Sequence, residues 1–223
     1  MKKVTIAILM LLVLGATSLF AVQIVNSSSS SSDMYDYLGL NIGYGFTREK
    51  YDLVTGVERV DKGYQLGLSL NDFMFFSRDV NVGFYMEMGM SFNVKTECTE
   101  GGVPTGDDKI SPFFSDLVIG FAFKADVDKR TSVLVGVGPE MMIYSKEYKY
   151  YNWEKDFLVL GAGLDLEGTY KVANDVYIGI GFRGSIMFYG TMIDRDRYGE
   201  VYTEYKNYFG YRLLPRFSVY LGL

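Results

Sequence analysis

The side chains able to do chemistry in this chain are carboxylates, arginines, lysines and phenols. There is no histidine, and Cys98 is the only cysteine. A Ser–His–Asp hydrolytic set and imidazole-based metal binding both lack their central residue. Carboxylates could act in pairs as acid and base, but no spacing singles out such a pair. Neither a metal-ligand spacing nor a phosphate-cradling glycine loop ahead of a helix is present. No catalytic, cofactor-binding or metal site is therefore expected, and neither is an enzymatic activity. What remains for the charged residues is to pair with one another. The five that matter most are Glu87, Glu140, Asp165, Arg183 and Arg216. Whether they can meet depends on the elements that carry them.

Those elements are strands. From Val80 to Val94 every second residue is large and apolar (Val80, Val82, Phe84, Met86, Met88, Met90, Phe92, Val94). The residues between are Asn81, Gly83, Tyr85, Glu87, Gly89, Ser91 and Asn93. Successive strand side chains point to opposite faces, so one face is apolar and the other polar and rich in glycine. Crossing a bilayer at a tilt takes roughly 9–11 residues, and this segment is long enough. The pattern recurs at about Tyr37–Thr47, Lys62–Asn71, Phe113–Ala125, Thr131–Tyr144, Phe157–Lys171, Val176–Tyr189 and Tyr208–Leu223. That makes eight strands, the even count a single-chain outer-membrane barrel requires. The expected fold is an all-β, antiparallel, up-and-down transmembrane barrel over residues 37–223.

The connections alternate. Asn71–Asp79, Asp126–Arg130 and Val172–Asp175 are short. Thr47–Asp61, Lys95–Ile110, Ser145–Asp156 and Gly190–Asn207 are long, charged and rich in tyrosine. Short periplasmic turns and long extracellular loops follow, with both termini periplasmic. Cys98 falls in a long loop and reads as an incidental thiol. Pro139 and Pro215 lie inside strands, where a missing N–H predicts a bulge or broken pairing. Aromatics cluster near both strand ends and suggest interfacial girdles. Tyr37, Phe73, Phe75, Phe76, Tyr170 and Tyr177 lie at one end; Phe46, Phe92, Phe113, Tyr144, Phe188 and Tyr211 lie at the other.

Ahead of the strands, Met1-Lys2-Lys3 precedes an apolar run from Val4 to Leu14 and a stretch ending at Ala21. This reads as an export signal over residues 1–21. Residues 22–36, with Ser27–Ser32, read as a flexible periplasmic tail. Without Lys2 and Lys3 the chain has 20 basic against 27 acidic residues, a charge of −7. An acidic chain with no basic run is a poor nucleic-acid partner, and none is expected.

The same alternation could describe a soluble barrel with an apolar lumen. Two features argue against it. The polar face carries few Lys or Glu residues, unlike a water-facing surface. It is also crowded with glycine (Gly39, Gly43, Gly67, Gly89, Gly136, Gly163 among others), which costs stability on an exposed strand but makes room inside a narrow barrel. The lumen of an eight-stranded barrel is just wide enough to be filled by side chains. Charges there must be paired. Glu87, Glu140, Asp165, Arg183 and Arg216 fall at middle depth, so the acids are expected to join the two arginines in one network, as a plug or as a gate. Asp116 and Arg212 are placed nearer the outer end, and Lys124, Glu167 and Lys171 nearer the periplasm.

On these residues the chain, over Tyr37 to Leu223, resembles the small eight-stranded outer-membrane barrels of the OmpA-barrel, OmpX and OmpW group. The likeness is one of architecture, and it transfers no functional residue. Members of the group usually end in Phe; this chain ends Tyr220-Leu221-Gly222-Leu223. The resemblance implies outer-membrane lipid and the barrel-assembly machinery as partners, and a role in envelope integrity, adhesion or small-solute passage. A host or cell-surface ligand would meet the long loops, where Tyr148, Tyr150, Tyr151, Trp153, Tyr198, Tyr202 and Tyr205 offer contact surface with little entropy lost. The alternative is a narrow channel or binding barrel for a small, perhaps hydrophobic, solute, lined near the outer rim by Tyr44, Phe46, Met142, Met187 and Tyr189.

Overall fold

The computed structural model describes residues 35–53, 55–77, 80–105, 109–148, 153–196, 199–204 and 206–223. Within these, the side chains of 109–113, 146–148, 153–155, 193–196 and 199–204 are not described. The expected export signal, and all of the expected tail except Tyr35 and Asp36, lie outside the described residues.

Ten strands and no helix are present among the described residues: β1 (Tyr35–Asp52), β2 (Glu58–Phe75), β3 (Val82–Glu100), β4 (Val103–Pro104), β5 (Lys109–Asp126), β6 (Thr131–Tyr148), β7 (Trp153–Ala173), β8 (Val176–Asp196), β9 (Gly199–Glu204) and β10 (Lys206–Gly222). Eight of them close a ring in the order β1-β2-β3-β5-β6-β7-β8-β10, and β10 pairs back onto β1. All pairings are antiparallel. The two-residue β4 and the six-residue β9 extend hairpins on β3 and β8.

The register sets the size. Stepping across partners from Asp36 through Met74, Phe84, Phe121, Val137, Leu164, Gly184 and Leu213 returns to β1 at Phe46, ten residues further on. Eight strands with that stagger tilt by about 40° and close at a radius of roughly 8 Å. A cylinder that narrow leaves an interior for side chains only.

The outer wall carries the apolar rows. Leu40, Ile42, Phe121, Ile186 and Phe188 are exposed, and Ile180 is 73% exposed. The opposite parity is buried around the axis, charges included. Small residues on that inner face make room for large ones. A Cβ on Gly136 would stand 2.6 Å from the Tyr85 ring, and one on Gly39 2.3 Å from the Tyr220 ring.

Three expectations change. First, the strands run well past the apolar band at the end away from the termini. β1 continues to Asp52, β2 begins at Glu58, β3 reaches Glu100 and β8 reaches Asp196. The segment read as the loop Thr47–Asp61 is mostly paired strand, leaving residues 53–57 as the connection. Beyond the lipid both faces are polar, so alternation disappears while main-chain pairing persists. Second, Cys98 lies on β3 and is buried among apolar side chains inside the barrel. Third, most of the girdle at the end bearing the termini is internal. Tyr37, Phe73, Phe75 and Tyr177 point to the axis, as Tyr144 does at the far end. Phe76 and Tyr170 remain exposed on the outer wall. The side chain of Phe113 lies outside the described residues.

Neither proline shifts the register. Pro139 stays opposite Ala162 on β7 and Pro215 opposite Phe182 on β8. Pairing lapses on the other side only, where Ile119 and Gly120 face Pro139 and Gly138, and where Tyr44 and Gly45 face Pro215 and Leu214. The missing N–H breaks one ladder locally. The first strand also starts at Tyr35, two residues ahead of the expected Tyr37. Its phenol meets that of Tyr177 at 2.5 Å.

Candidate functional site

The lumen is filled in three layers. At the end bearing the termini, Tyr35, Tyr37, Phe73, Phe75, Tyr177 and Tyr220 pack with Tyr85, Val118, Ala122 and Leu134. At the far end, Tyr51, Cys98, Phe114, Met142, Tyr144 and Phe157 pack with Val159, Met187, Met192 and Tyr208. Between them lies a belt of charge.

Three arginines, on β8 and β10, reach across the lumen to acids on β3, β5, β6 and β7. Arg183 places Nη1 2.7 Å from Glu87 Oε1 and 2.7 Å from Asp116 Oδ1, and Nη2 2.8 Å from Glu140 Oε1. Arg212 donates to Asp116 Oδ2 at 2.6 Å and Glu140 Oε1 at 2.5 Å. Arg216 places Nη1 3.0 Å from both Glu87 oxygens and donates through Nη2 to Asp165 and through Nε to Glu167. Two arginines sharing Glu87, and two sharing both Asp116 and Glu140, make eight side chains into one connected set. All eight are buried.

The site residues expected from sequence, Glu87, Glu140, Asp165, Arg183 and Arg216, are thus all brought together. Sequence reasoning left out Asp116, Arg212 and Glu167. Counting along tilted strands put them at other depths, although their parity already faced them inward. Lys124 does not join; it pairs with Asp126 at 3.4 Å near the mouth.

Five carboxylates face three guanidiniums, so neutral donors matter. Asn71 Nδ2 donates to Asp165 Oδ2 at 3.2 Å, and Ser218 Oγ to Glu167 Oε1 at 2.9 Å. The Tyr85 hydroxyl touches Glu87 Oε2 and also Asp165 Oδ2, the latter at 2.8 Å. One phenol proton cannot serve both contacts; the second is a hydrogen bond only when the carboxyl facing it carries a proton. Beside the belt is a cavity of about 20 Å³ lined by Asn41, Ser91, Glu87, Asp116, Arg183 and Arg216, room for about one water.

At the mouth near the termini a vestibule of about 540 Å³ opens, lined by Tyr35, Tyr37, Lys124, Lys171, Tyr177 and Asp128–Arg130 of the turn after β5. In that turn Asp128 accepts the N–H groups of Arg130 at 2.7 Å and Thr131 at 2.9 Å, which holds its carboxyl below the usual aspartate range. At the far end Tyr144 donates to Glu49 at 2.5 Å, Tyr51 to Asp61 at 2.9 Å, and Arg59 to Asp61 at 2.9 Å and Glu100 at 2.8 Å.

The rim set does not line one space. Tyr44 is exposed on the outer wall and Phe46 lies on the same face, whereas Met142 and Met187 are buried within. Of the aromatic residues expected in the surface loops, Tyr148, Trp153 and Tyr202 fall on β6, β7 and β9 by backbone. Their side chains, and Tyr150, Tyr151, Tyr198 and Tyr205 altogether, lie outside the described residues. Among the described residues no group of His, Cys, Asp or Glu is arranged to hold a metal ion.

No family model matches the chain, and no curated protein does. Solved structures do. A major outer membrane protein from Thermus thermophilus is 12% identical, with a TM-score of 0.55 over 85% of this chain and 99% of that one. The outer membrane protein AlkL in lipid bilayers is 13% identical, with a TM-score of 0.51 over 88% and 94%. Neisserial surface protein A is 14% identical over 83% and 96%, with a TM-score of 0.47. At such identities the shared property is the fold, that of a small outer-membrane β-barrel.

Proposed function

We propose that this chain is a structural, surface-interacting protein of a bacterial outer membrane, its lumen closed by the charged belt rather than open to solute. The observation that carries this reading is the filling of the barrel: arginines bridging acids from four other strands, with an aromatic layer on one side and an apolar layer on the other. In this orientation the termini face the periplasm and the extended far end stands outside the cell. Outer-membrane lipid surrounds the wall, and the assembly machinery inserts it. The far end, carried clear of the lipid by long strands, is where a host or neighbouring cell surface would be met. No catalytic step is assigned to it.

Planar-bilayer recording of the purified protein tests the closed lumen. Wild type is expected to be silent. Arg183→Ala is expected to stay silent while losing resistance to heat, because the flanking layers still fill the lumen. Steady wild-type conductance would convert the belt from a plug into a gate. Deleting the protein and measuring cell attachment tests the surface role; unchanged binding removes the adhesive part.

A further inference from the structure

The vestibule at the end bearing the termini, about 540 Å³, has the size of a site for a small organic molecule, roughly 300–1,000 Å³. Its floor is aromatic. Tyr37 packs edge-on against Tyr35 and Tyr177, with centroids 5.0 Å and 5.1 Å away, and the hydroxyls of Tyr35 and Tyr177 meet at 2.5 Å. The charged belt lies beyond that floor. A solute entering this mouth therefore meets a closed end, where it can be held but not passed on.

The walls are positive in an otherwise acidic chain. Lys124, Lys129, Arg130 and Lys171 face Asp126, Asp128 and Asp175. Two of the three acids are engaged by the wall itself. Asp126 accepts from Ser132 Oγ at 2.6 Å and has Lys124 at 3.4 Å. Asp128 is taken up by the two turn N–H groups. Arg130 leans away, with Nη1 3.4 Å from the Tyr170 hydroxyl. The Lys171 ammonium stands 5.7 Å from the centroid of the Tyr177 ring. Among the described residues neither Lys171 nor Lys129 has a carboxylate within ion-pair distance, Asp175 included. The Lys171 N–H bonds to the Arg130 carbonyl at 2.7 Å, which sets Lys171 beside the turn that carries Lys129. Two unneutralised ammoniums thus border a cup with phenol rings at its base. A bare ion would use the ammoniums and leave the rings idle. An organic acid uses both.

We propose that this vestibule binds a small organic acid, its carboxylate between Lys171 and Lys129 and its apolar body against Tyr35, Tyr37 and Tyr177. The site lies at the opposite end from the surface used in the proposed function, so the loss of either reading leaves the other standing.

The full chain, folded in a nonionic maltoside detergent with isotope-labelled tyrosine rings, is titrated with benzoate, benzamide and acetate. The Tyr177 ring signal, identified by Tyr177→Phe, reports binding at this mouth. Benzoate should bind about tenfold more tightly than benzamide, which has the ring without the charge. It should also bind about tenfold more tightly than acetate, which has the charge without the ring. K171M keeps an unbranched side chain beside Tyr177 but should erase the margin over benzamide. K171R should retain the margin, and K95M, at the far end of the barrel, should leave it unchanged. Equal binding of benzoate and benzamide by wild type, or unchanged benzoate affinity in K171M/K129M, overturns the proposal. Acetate or inorganic phosphate binding as tightly as benzoate overturns it too, because the site would then be one for a bare anion.

Discussion

Replacing Arg216 with methionine isolates the belt's contribution to stability. The guanidinium contacts Glu87, Asp165 and Glu167, which come from β3 and β7, while Arg216 itself lies on β10. Its side chain is 3% exposed, and the side chains of all three carboxylates are fully buried. Unit charges about 4 Å apart attract by about 4 kcal/mol at an effective dielectric of about 20. Three such contacts are gross attraction, and most of it is offset by the desolvation that burial imposed on all four groups. Removing one member leaves its partners buried and uncompensated, and that costs about 3–5 kcal/mol. Arg183 softens the loss at Glu87, but no other guanidinium among the described residues reaches Asp165 or Glu167. R216M should therefore lower the unfolding free energy in detergent by about 3–5 kcal/mol. Adding Glu167→Gln to R216M should recover about 1–3 kcal/mol, a coupling that a double-mutant cycle reads directly. The bilayer conductance should stay at zero throughout, because the two apolar layers remain. An R216M protein as stable as wild type would refute the reasoning, since it would mean that the acids lose nothing when their shared cation goes.

Other perturbations test neighbouring parts. Tyr85→Phe removes the hydroxyl between Glu87 and Asp165 and should cost about 1–3 kcal/mol by denaturant titration, whereas Tyr170→Phe on the outer wall should cost little. Gly136→Ala drives a methyl into the buried Tyr85 ring and should destabilise by about 1–3 kcal/mol, measured the same way. Cys98, 7% exposed within the far-end layer, should resist maleimide in the folded protein and react fully in denaturant. Asp128 is held below the usual aspartate range by two turn N–H groups, so its contribution is present above that range and lost as the pH falls through the lowered value. The stability gap between wild type and Asp128→Ala should be present at neutral pH and close in acid.

How much of this was legible follows from what alternation can and cannot report. Period two gives the face of every residue. Leu38 outside implies Tyr37 inside, and Phe73 and Phe75 share the parity of the buried Asn71. Reading those rings as a lipid-facing girdle put residue type ahead of parity. The aromatic layer that seals one end of the lumen was therefore visible in the sequence but assigned to the wrong side of the wall. Depth is a different kind of quantity. In a barrel whose register advances ten residues per circuit, residues equally far from their strand ends stand at different heights, so Arg212 and Glu167 join the belt although counting set them apart. Strand length was hidden for a third reason: hydrophobic contrast marks only the part of a strand that touches lipid. From Thr47 onward Arg48, Glu49 and Lys50 are polar on both faces, and yet Glu49 is buried and Lys50 exposed as strictly as any pair in the membrane. The same segment accounts for the cations on the outer wall. Where lipid no longer imposes an apolar face, charged residues are free to stand there, and Arg48 faces Lys62 while Lys62 in turn faces Glu97.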